Sequence, residues 1–265
     1  MNEQVKVVAL DLDGTLLNSN NEISDFNKDI LWRLKERGVH IILCTGRPYN
    51  AMKKFRDELS LDDHVICFNG ANIVDKDEKL VLDTSLDTET SLELVKVGRG
   101  RNTYFHGFME DKWLVPYTNE ISEKYKARTG LTETVGALEE VEGLRFTKMM
   151  YIGENALLRE IYEELEEKLG ERVYKAFSNP NFLEVLSGSS SKAKALDFFL
   201  KKKGLTPDNL LVMGDSYNDL EMLKFAKYGV VMENTPEELK EQFDLIAPGN
   251  DEDGVGRYLK DFFEL

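Results

Sequence analysis

Two carboxylates one residue apart are the first groups in this chain that could do chemistry. Asp11 and Asp13 stand in Asp11-Leu12-Asp13-Gly14-Thr15, directly after the apolar run 5–10. That run is short, β-branched and bounded by polar residues, the pattern of a buried strand. Ligands gather at the carboxyl ends of strands in open α/β sheets. Period-2 alternation aims Asp11 and Asp13 the same way, and Gly14 lets the chain turn sharply behind them. Carboxylates held together repel unless a cation intervenes or one keeps its proton. An Asx turn explains Asp-x-Asp equally well when it stands alone. The whole pentapeptide after an apolar strand weighs against that explanation.

A second group, Gly214-Asp215-Ser216-Tyr217-Asn218-Asp219, follows the apolar run 210–213 and opens a helix. A helix cap needs one residue such as Asp215 or Ser216, and this loop offers more polar side chains than a cap uses. The two loops together make a hard, oxygen-rich cluster suited to magnesium, which takes few carboxylates plus substrate phosphate. Calcium would want a more complete protein cage. Thr45, in Cys44-Thr45-Gly46-Arg47-Pro48, follows the run 39–44. Its hydroxyl beside the N–H groups of a helix start is a phosphate cradle, or simply an N-cap. Lys192 follows Ser189-Ser190-Ser191 at another helix start, where the dipole disfavours a cation. A solvated lysine is the common explanation; near an acidic cluster it becomes a counter-charge and phosphate ligand. Arg47 and Asn69 sit at strand ends facing the same crevice, where each either touches substrate or holds loops together.

The elements that must position these residues follow a regular order. A helix runs from the N-cap Ser24 to Gly38, with Ile30, Leu31 and Leu34 on one stripe. Strands follow at 39–44 and 65–68, with Pro48 at a helix start between them. This order gives a parallel sheet with right-handed crossovers. The rhythm changes after about residue 82. Strands at 103–108 and 113–117 form a hairpin turning at 110–112. Helices at 120–128 and 154–169 then mix with strands at 146–152, 172–177 and 182–186. Parallel rhythm resumes with a helix at 191–203, a strand at 210–213 and a helix at 220–226, and continues to the C-terminus. The fold class is α/β: a Rossmann-like doubly wound parallel sheet core from residues 1–83 and 189–265, with an α+β domain inserted at 84–188.

Composition narrows the function. The 265 residues are 42% hydrophobic and 31% charged, a globular balance. Lys+Arg 34 against Asp+Glu 49 gives a net charge of −15. Nucleic acids and anionic lipid are held mainly by Lys and Arg, so both are disfavoured as partners. Cys44 and Cys67 are too few, and too deep in apolar runs, for a disulfide framework or zinc site. With no apolar stretch of about 18 residues and no signal-peptide pattern, a soluble cytoplasmic protein is expected.

DLDGTLL, CTGRP, the later lysine and GDSYNDLEML, in that order, resemble the four catalytic motifs of the haloacid dehalogenase superfamily of phosphatases. The long insertion, Phe68-Asn69-Gly70-Ala71, Glu233-Asn234-Thr235 and Asp253-Gly254-Val255 resemble its Cof-type branch, whose insertion is a large α/β cap. The resemblance implies that Asp11 is the nucleophile, forming an aspartyl-phosphate. It implies that Asp13 protonates the leaving alkoxide and then takes a proton from water. Magnesium would be held by the Asp11 carboxylate, the Asp13 carbonyl and Asp215, with Asp219 and Asn218 in support. Thr45 and Lys192 would bind the phosphoryl oxygens. Gly46, Arg47, Asn69 and Asn218 would lie on the substrate side. The expected function is a magnesium-dependent phosphatase of small phosphate monoesters, sugar phosphates foremost. A phosphomutase and a phosphate-ligand sensor are the alternatives. The expected partner is a small phosphorylated metabolite, and no oligomer is required. In the cap, Trp113, Tyr117, Arg145 and Lys148 are candidates for a substrate lid, although Trp113 suits packing better. His40, His64 and His106 fall outside every motif.

Overall fold

The computed structural model describes residues 4–110 and 112–265, the side chain of Arg128 excepted. In chain order, the elements begin with β1 (Val7–Leu10), α1 (Asp25–Glu36), β2 (His40–Cys44), α2 (Tyr49–Glu58), β3 (Val65–Cys67), β4 (Asn72–Val74) and β5 (Leu80–Asp83). There follow α3 (Thr88–Gly100), β6 (Tyr104–Met109), β7 (Lys112–Val115), α4 (Glu120–Thr129), β8 (Glu133–Val135), β9 (Lys148–Ile152), α5 (Asn155–Leu169), β10 (Val173–Asn179) and β11 (Phe182–Ser187). The chain closes with α6 (Lys192–Lys203), β12 (Leu210–Gly214), α7 (Leu220–Phe225), β13 (Tyr228–Met232), α8 (Glu237–Lys240), β14 (Leu245–Ala247) and α9 (Gly254–Phe263). These elements form two compact units. One contains the chain up to Arg47, Met52–Val81 and Ser191–Leu265; the other contains Pro48–Ala51 and Leu82–Ser190.

The first unit carries an eight-stranded sheet in the order β14-β13-β12-β1-β2-β3-β4-β5. Its central strands are parallel, and every residue of β1 and β12 is buried. Continuous apolar runs such as VVAL and LLVMG are what a strand covered on both faces requires. The register pairs Leu10 with Met213 on one side and with Leu43 on the other. The carboxyl ends of β1, β2 and β12 are therefore level, and the loops beginning at Asp11, Thr45 and Asp215 leave the sheet together. Chain order runs outward from β1 in opposite directions on its two sides, which makes this edge the topological switch point.

Local chemistry fixes the helices around that edge. Ser24 Oγ accepts from Asn27 N at 3.1 Å and caps α1, which buries Ile30, Leu31 and Leu34. Ser191 Oγ accepts from Lys194 N at 3.1 Å and caps α6. That cap makes Lys192 the first helical residue, one position later than the expected start. The expected strand 65–68 ends at Cys67, because Phe68 and Asn69 take left-handed φ values of 49° and 52°. Gly70 completes this turn at φ 97°, where a Cβ would lie 2.2 Å from the Ser191 carbonyl oxygen. Only a glycine lets the turn and the cap of α6 approach so closely.

The second unit carries a six-stranded sheet in the order β10-β11-β9-β6-β7-β8, antiparallel except between β7 and β8. Phe105, Tyr151 and Val185 on this sheet share a core with Leu94 of α3 and with Ile161 and Leu165 of α5. The buried Tyr151 hydroxyl donates to the Leu94 carbonyl at 2.7 Å. Four elements were not expected from the sequence: β4, β5, α3 and β8. The expected hairpin is present, with Met109 opposite Lys112; Asp111, at its turn, lies outside the described residues. No described helix is long and apolar enough to cross a membrane.

Candidate active site

The first loop departs from strand geometry sooner than its sequence suggests. Asp11 N still donates to the Met213 carbonyl at 3.0 Å, so Asp11 continues the sheet ladder and is buried. The Leu12 carbonyl then accepts from Thr15 N and Leu17 N, at 3.3 and 2.9 Å, and the chain turns. Period-2 alternation ends there. The two carboxylates accordingly have different partners: Asp11 pairs with Lys192, and Asp13 pairs with Arg47.

Glycines set the approach of the loop after β12. A Cβ on Gly14 (φ 83°) would lie 2.3 Å from Asp215 Oδ2, and one on Gly214 would lie 2.7 Å from Asp219 Cβ. With both spaces open, Asp215 Oδ1 accepts from Thr15 Oγ1 at 2.8 Å. Asp219 Oδ2 accepts from the backbone N–H groups of Asp215 and Ser216, both at 3.1 Å. Its other oxygen accepts from Lys192 Nζ at 2.6 Å, the same distance that separates Nζ from Asp11 Oδ1.

Carboxylate oxygens of Asp11, Asp215 and Asp219 all lie within 4.8 Å of one another. Burial pushes Asp11 well above the ordinary carboxylate range against the opposing pull of Lys192, and Asp219 and Asp215 push it further up. Burial and the Asp219 charge raise Asp215 to about 7. Burial alone would discharge Lys192, but Asp11 and Asp219 outweigh it and keep the ammonium charged. Ionised together, the three carboxylates would outnumber the one ammonium, so a cation that replaces their retained protons completes the charge balance on hard oxygen donors. That donor set fits a divalent hard cation such as magnesium. Asp11 and Asp215 are the better ligands, since both Asp219 oxygens already accept hydrogen bonds.

The loops after β2 and β3 are joined to this cluster. Thr45 is buried; its hydroxyl accepts from Arg47 N at 3.1 Å, and its carbonyl from Asn69 N at 2.9 Å. Asn69 Oδ1 accepts from Asn218 Nδ2 at 3.0 Å and lies where a Cβ on Gly46 would come within 3.0 Å. Asn69 thus ties the loop after β2 to the loop after β12. Of the residues singled out in the sequence, Asp11, Asp215, Asp219 and Lys192 form one cluster. Thr45, Asn69 and Asn218 form a bonded border with Gly46 close against Asn69, and the Asp13–Arg47 ion pair joins it through the Arg47 backbone.

Residues 8–259 match the family model of the haloacid dehalogenase-like hydrolases. The chain belongs to that family. It is similar to two Bacillus subtilis proteins named 5-amino-6-(5-phospho-D-ribitylamino)uracil phosphatase. YwtE is 28% identical over 283 residues, covering 96% of this chain and 97% of its own length. YcsE is 29% identical over 257 residues, covering 97% and 95%. A solved structure of a haloacid dehalogenase-like hydrolase from Bacteroides thetaiotaomicron is 29% identical, covers 98% of this chain and all of its own, and superposes with a TM-score of 0.88.

Within the first unit of this hydrolase, residues that sequence reasoning did not assign hold the site's loops. Thr15 orients Asp215, as described above, and its place in the motif beside two carboxylates was an available signal. The loop after β1 is braced from the C-terminal end of the chain. Asn234 Nδ2 donates to the Gly14 carbonyl at 2.8 Å, and Asn250 Nδ2 to the Leu17 carbonyl at 2.8 Å. Asp251 accepts from Ser19 N and Oγ at 2.7 and 2.5 Å, which lowers its pKa. In the second unit, Trp113 is buried in an aromatic cluster, 5.5 Å from His106 and 5.1 Å from Tyr125. Tyr117 is exposed and stacks edge-on against Tyr104. Arg145 Nε donates to the Leu86 carbonyl at 3.4 Å, and Lys148 pairs with Glu184 at 2.8 Å. His40 pairs with Asp63, and His64 packs edge-on against Phe199.

Proposed function

We propose that this haloacid dehalogenase-like phosphatase is magnesium-dependent and hydrolyses small phosphate monoesters, sugar phosphates foremost, through an aspartyl-phosphate on Asp11. The observation that carries the reading is Lys192 Nζ held 2.6 Å from both Asp11 and Asp219 at a level edge of the sheet. A lysine there neutralises part of the charge on an anionic nucleophile and leaves it able to meet an anionic ester. Magnesium, held by Asp11, Asp215 and the Asp13 carbonyl, would supply further neutralisation of phosphoryl charge.

In this reading Asp11 attacks phosphorus while protonated Asp13 gives its proton to the departing alkoxide. Asp13, now a carboxylate, takes a proton from the water that releases phosphate. Thr45 and Lys192 bind phosphoryl oxygens, and Gly46, Arg47, Asn69 and Asn218 border them. Residues 84–188 are the cap domain, and the partner is a small soluble metabolite. The two Bacillus relatives named for a phosphorylated ribityl compound support a phosphorylated polyol or sugar as the substrate class.

The test is phosphate release from a panel of sugar and other small phosphate monoesters, with magnesium, with EDTA, and with Asp11→Asn. Stoichiometric release that EDTA and Asp11→Asn abolish is the expected result. Isomerised ester without free phosphate would identify a mutase instead. Silence on every ester, with folded protein and magnesium present, would overturn the reading.

A further inference from the structure

Asp13 needs something to aim it. Its side chain is 56% exposed, and Gly14 follows it. A half-exposed carboxylate at a turn otherwise points into solvent. The structure supplies a partner in Arg47: Nε donates to Asp13 Oδ2 at 2.8 Å, and a terminal nitrogen donates to Oδ1. This is the planar fork-on-carboxylate geometry that fixes direction as well as charge.

Arg47 is itself held in place. The same terminal nitrogen donates to Asn21 Oδ1 at 3.0 Å, and the guanidinium lies 5.3 Å from the centre of the Phe55 ring. Its backbone N–H donates to Thr45 Oγ1, and its carbonyl accepts from Phe68 N at 3.1 Å. Nε and one terminal nitrogen are thus committed to partners within the chain, the loop-holding one of the two roles open to Arg47 from the sequence.

We propose that Arg47 is a positioning residue for Asp13, directing its carboxylate at the water that cleaves the aspartyl-phosphate. The inference rests on the phosphatase reading above. In that step water gives a proton to the Asp13 carboxylate while its oxygen bonds to phosphorus. The bond from phosphorus to Asp11 breaks, its electron pair stays on the Asp11 carboxylate, and inorganic phosphate leaves. Asp13 is then protonated for the next ester. A fork that engages both oxygens matches the carboxylate and not the carboxylic acid. With an ester whose leaving group needs little protonation, the loss of the fork therefore shows in the water step.

p-Nitrophenyl phosphate is the probe, because its leaving group needs little protonation. Arg47→Met should lower kcat about 100-fold, the scale of a general base, with KM nearly unchanged. It should also release a burst of about one p-nitrophenolate per active site, because the first half-reaction now outruns the second. In an Asp13→Asn background Arg47→Met should add no further loss. Arg47→Lys keeps the charge without the fork, and should show the same pattern at smaller amplitude. A raised KM with kcat retained, losses that multiply with Asp13→Asn, absence of a burst, or a wild-type-like Arg47→Lys would each overturn the assignment. Wild-type protein silent on every ester would overturn the phosphatase reading itself; an active wild type with multiplying losses overturns only the role of Arg47.

Discussion

Lys192 Nζ lies 2.6 Å from Asp219 Oδ1, with both side chains closed to solvent. Asp219 uses its other oxygen to hold the backbone of Asp215 and Ser216. The pair therefore connects the first turn of α6 to the loop after β12, and Lys192 extends the connection to Asp11 just after β1. Removing one partner of a buried ion pair leaves an uncompensated charge and costs about 3–5 kcal/mol. Lys192→Met should accordingly melt several degrees below wild type in EDTA. Its phosphate release should fall by about 100-fold or more, the scale of removing one donor to a developing charge. A melting temperature equal to wild type would show that the ammonium does not neutralise this cluster.

Asp215 gives the cluster a pH dependence of known sign. Burial and the Asp219 charge raise its folded-state pKa from 3.8 to about 7. Relative to the unfolded chain, the folded state then binds the extra proton between those values. Stability from this group is fully present below about 4 and is lost as pH rises through about 7. Magnesium bound as proposed would reverse the balance, because a ligating carboxylate must be ionised. The thermal shift produced by magnesium should be small at pH 5.5 and large at pH 8, with apparent affinity rising up to about tenfold per pH unit below 7. Melting curves with magnesium and with EDTA at the two pH values check this. Equal shifts at both would remove Asp215 from the metal ligands.

The parallel core was legible because its strands are unbroken apolar runs, and Ser24 and Ser191 mark helix starts by side-chain chemistry. Which loops meet was legible too, since β1, β2 and β12 each end in a polar, glycine-containing string. The second unit was harder to read. β4 and β8 have three residues each, too few for a period to show. α3 had a signal in its Asp87 cap, which accepts from Thr90 N at 2.7 Å, but the change of rhythm before it masked the stripe through Leu94 and Val97. That Asp13 takes a different partner from Asp11 could not be read from alternation, because the turn between them depends on hydrogen bonds to the Leu12 carbonyl. Nor could the bracing by Asn234, Asn250 and Asp251, which joins residues more than two hundred positions apart.

That brace makes a separate prediction. Asn234→Ala removes the donor to the Gly14 carbonyl and the acceptor for Asn250 N. These bonds are exposed, so the loss of stability should be only about 1 kcal/mol. Gly14 carries the turn against which Asp215 rests, so the proposed magnesium site should loosen more than the fold. A magnesium requirement raised severalfold with little change in melting temperature is expected from a titration of activity against magnesium. A fall in melting temperature without a change in magnesium requirement would make the brace purely structural.

Gly14→Ala attacks the same contact directly. The new Cβ would meet Asp215 Oδ2 at 2.3 Å, on a backbone at φ 83° that L side chains rarely adopt. Relief requires Asp215 to move away or the turn to rearrange, and either separates Asp215 from Asp11. Thr15→Val, which deletes the 2.8 Å hydrogen bond to Asp215 with no steric insult, isolates the orienting part of the effect. Both variants should need more magnesium for half-maximal activity, Gly14→Ala by about tenfold or more, the scale of an outer-sphere lesion. If Thr15→Val matches wild type in magnesium titration, the hydroxyl does not orient the carboxylate.

The second unit can be tested without reference to catalysis. Lys148 and Glu184, on neighbouring strands β9 and β11, pair at 2.8 Å with side chains 5% and 8% exposed. Taking two charges out of water is expensive, and a buried pair is often no more stabilising than apolar residues of the same volume. Its single replacements should therefore cost more than its double replacement. Lys148→Met alone leaves the Glu184 carboxylate buried without that ammonium, and should destabilise by about 3–5 kcal/mol. Lys148→Met with Glu184→Leu should recover most of that loss. Denaturant unfolding of the wild type, both singles and the double gives the coupling between the two sites. Singles that each cost under about 0.5 kcal/mol would show that the pair is worth no more than one on the surface.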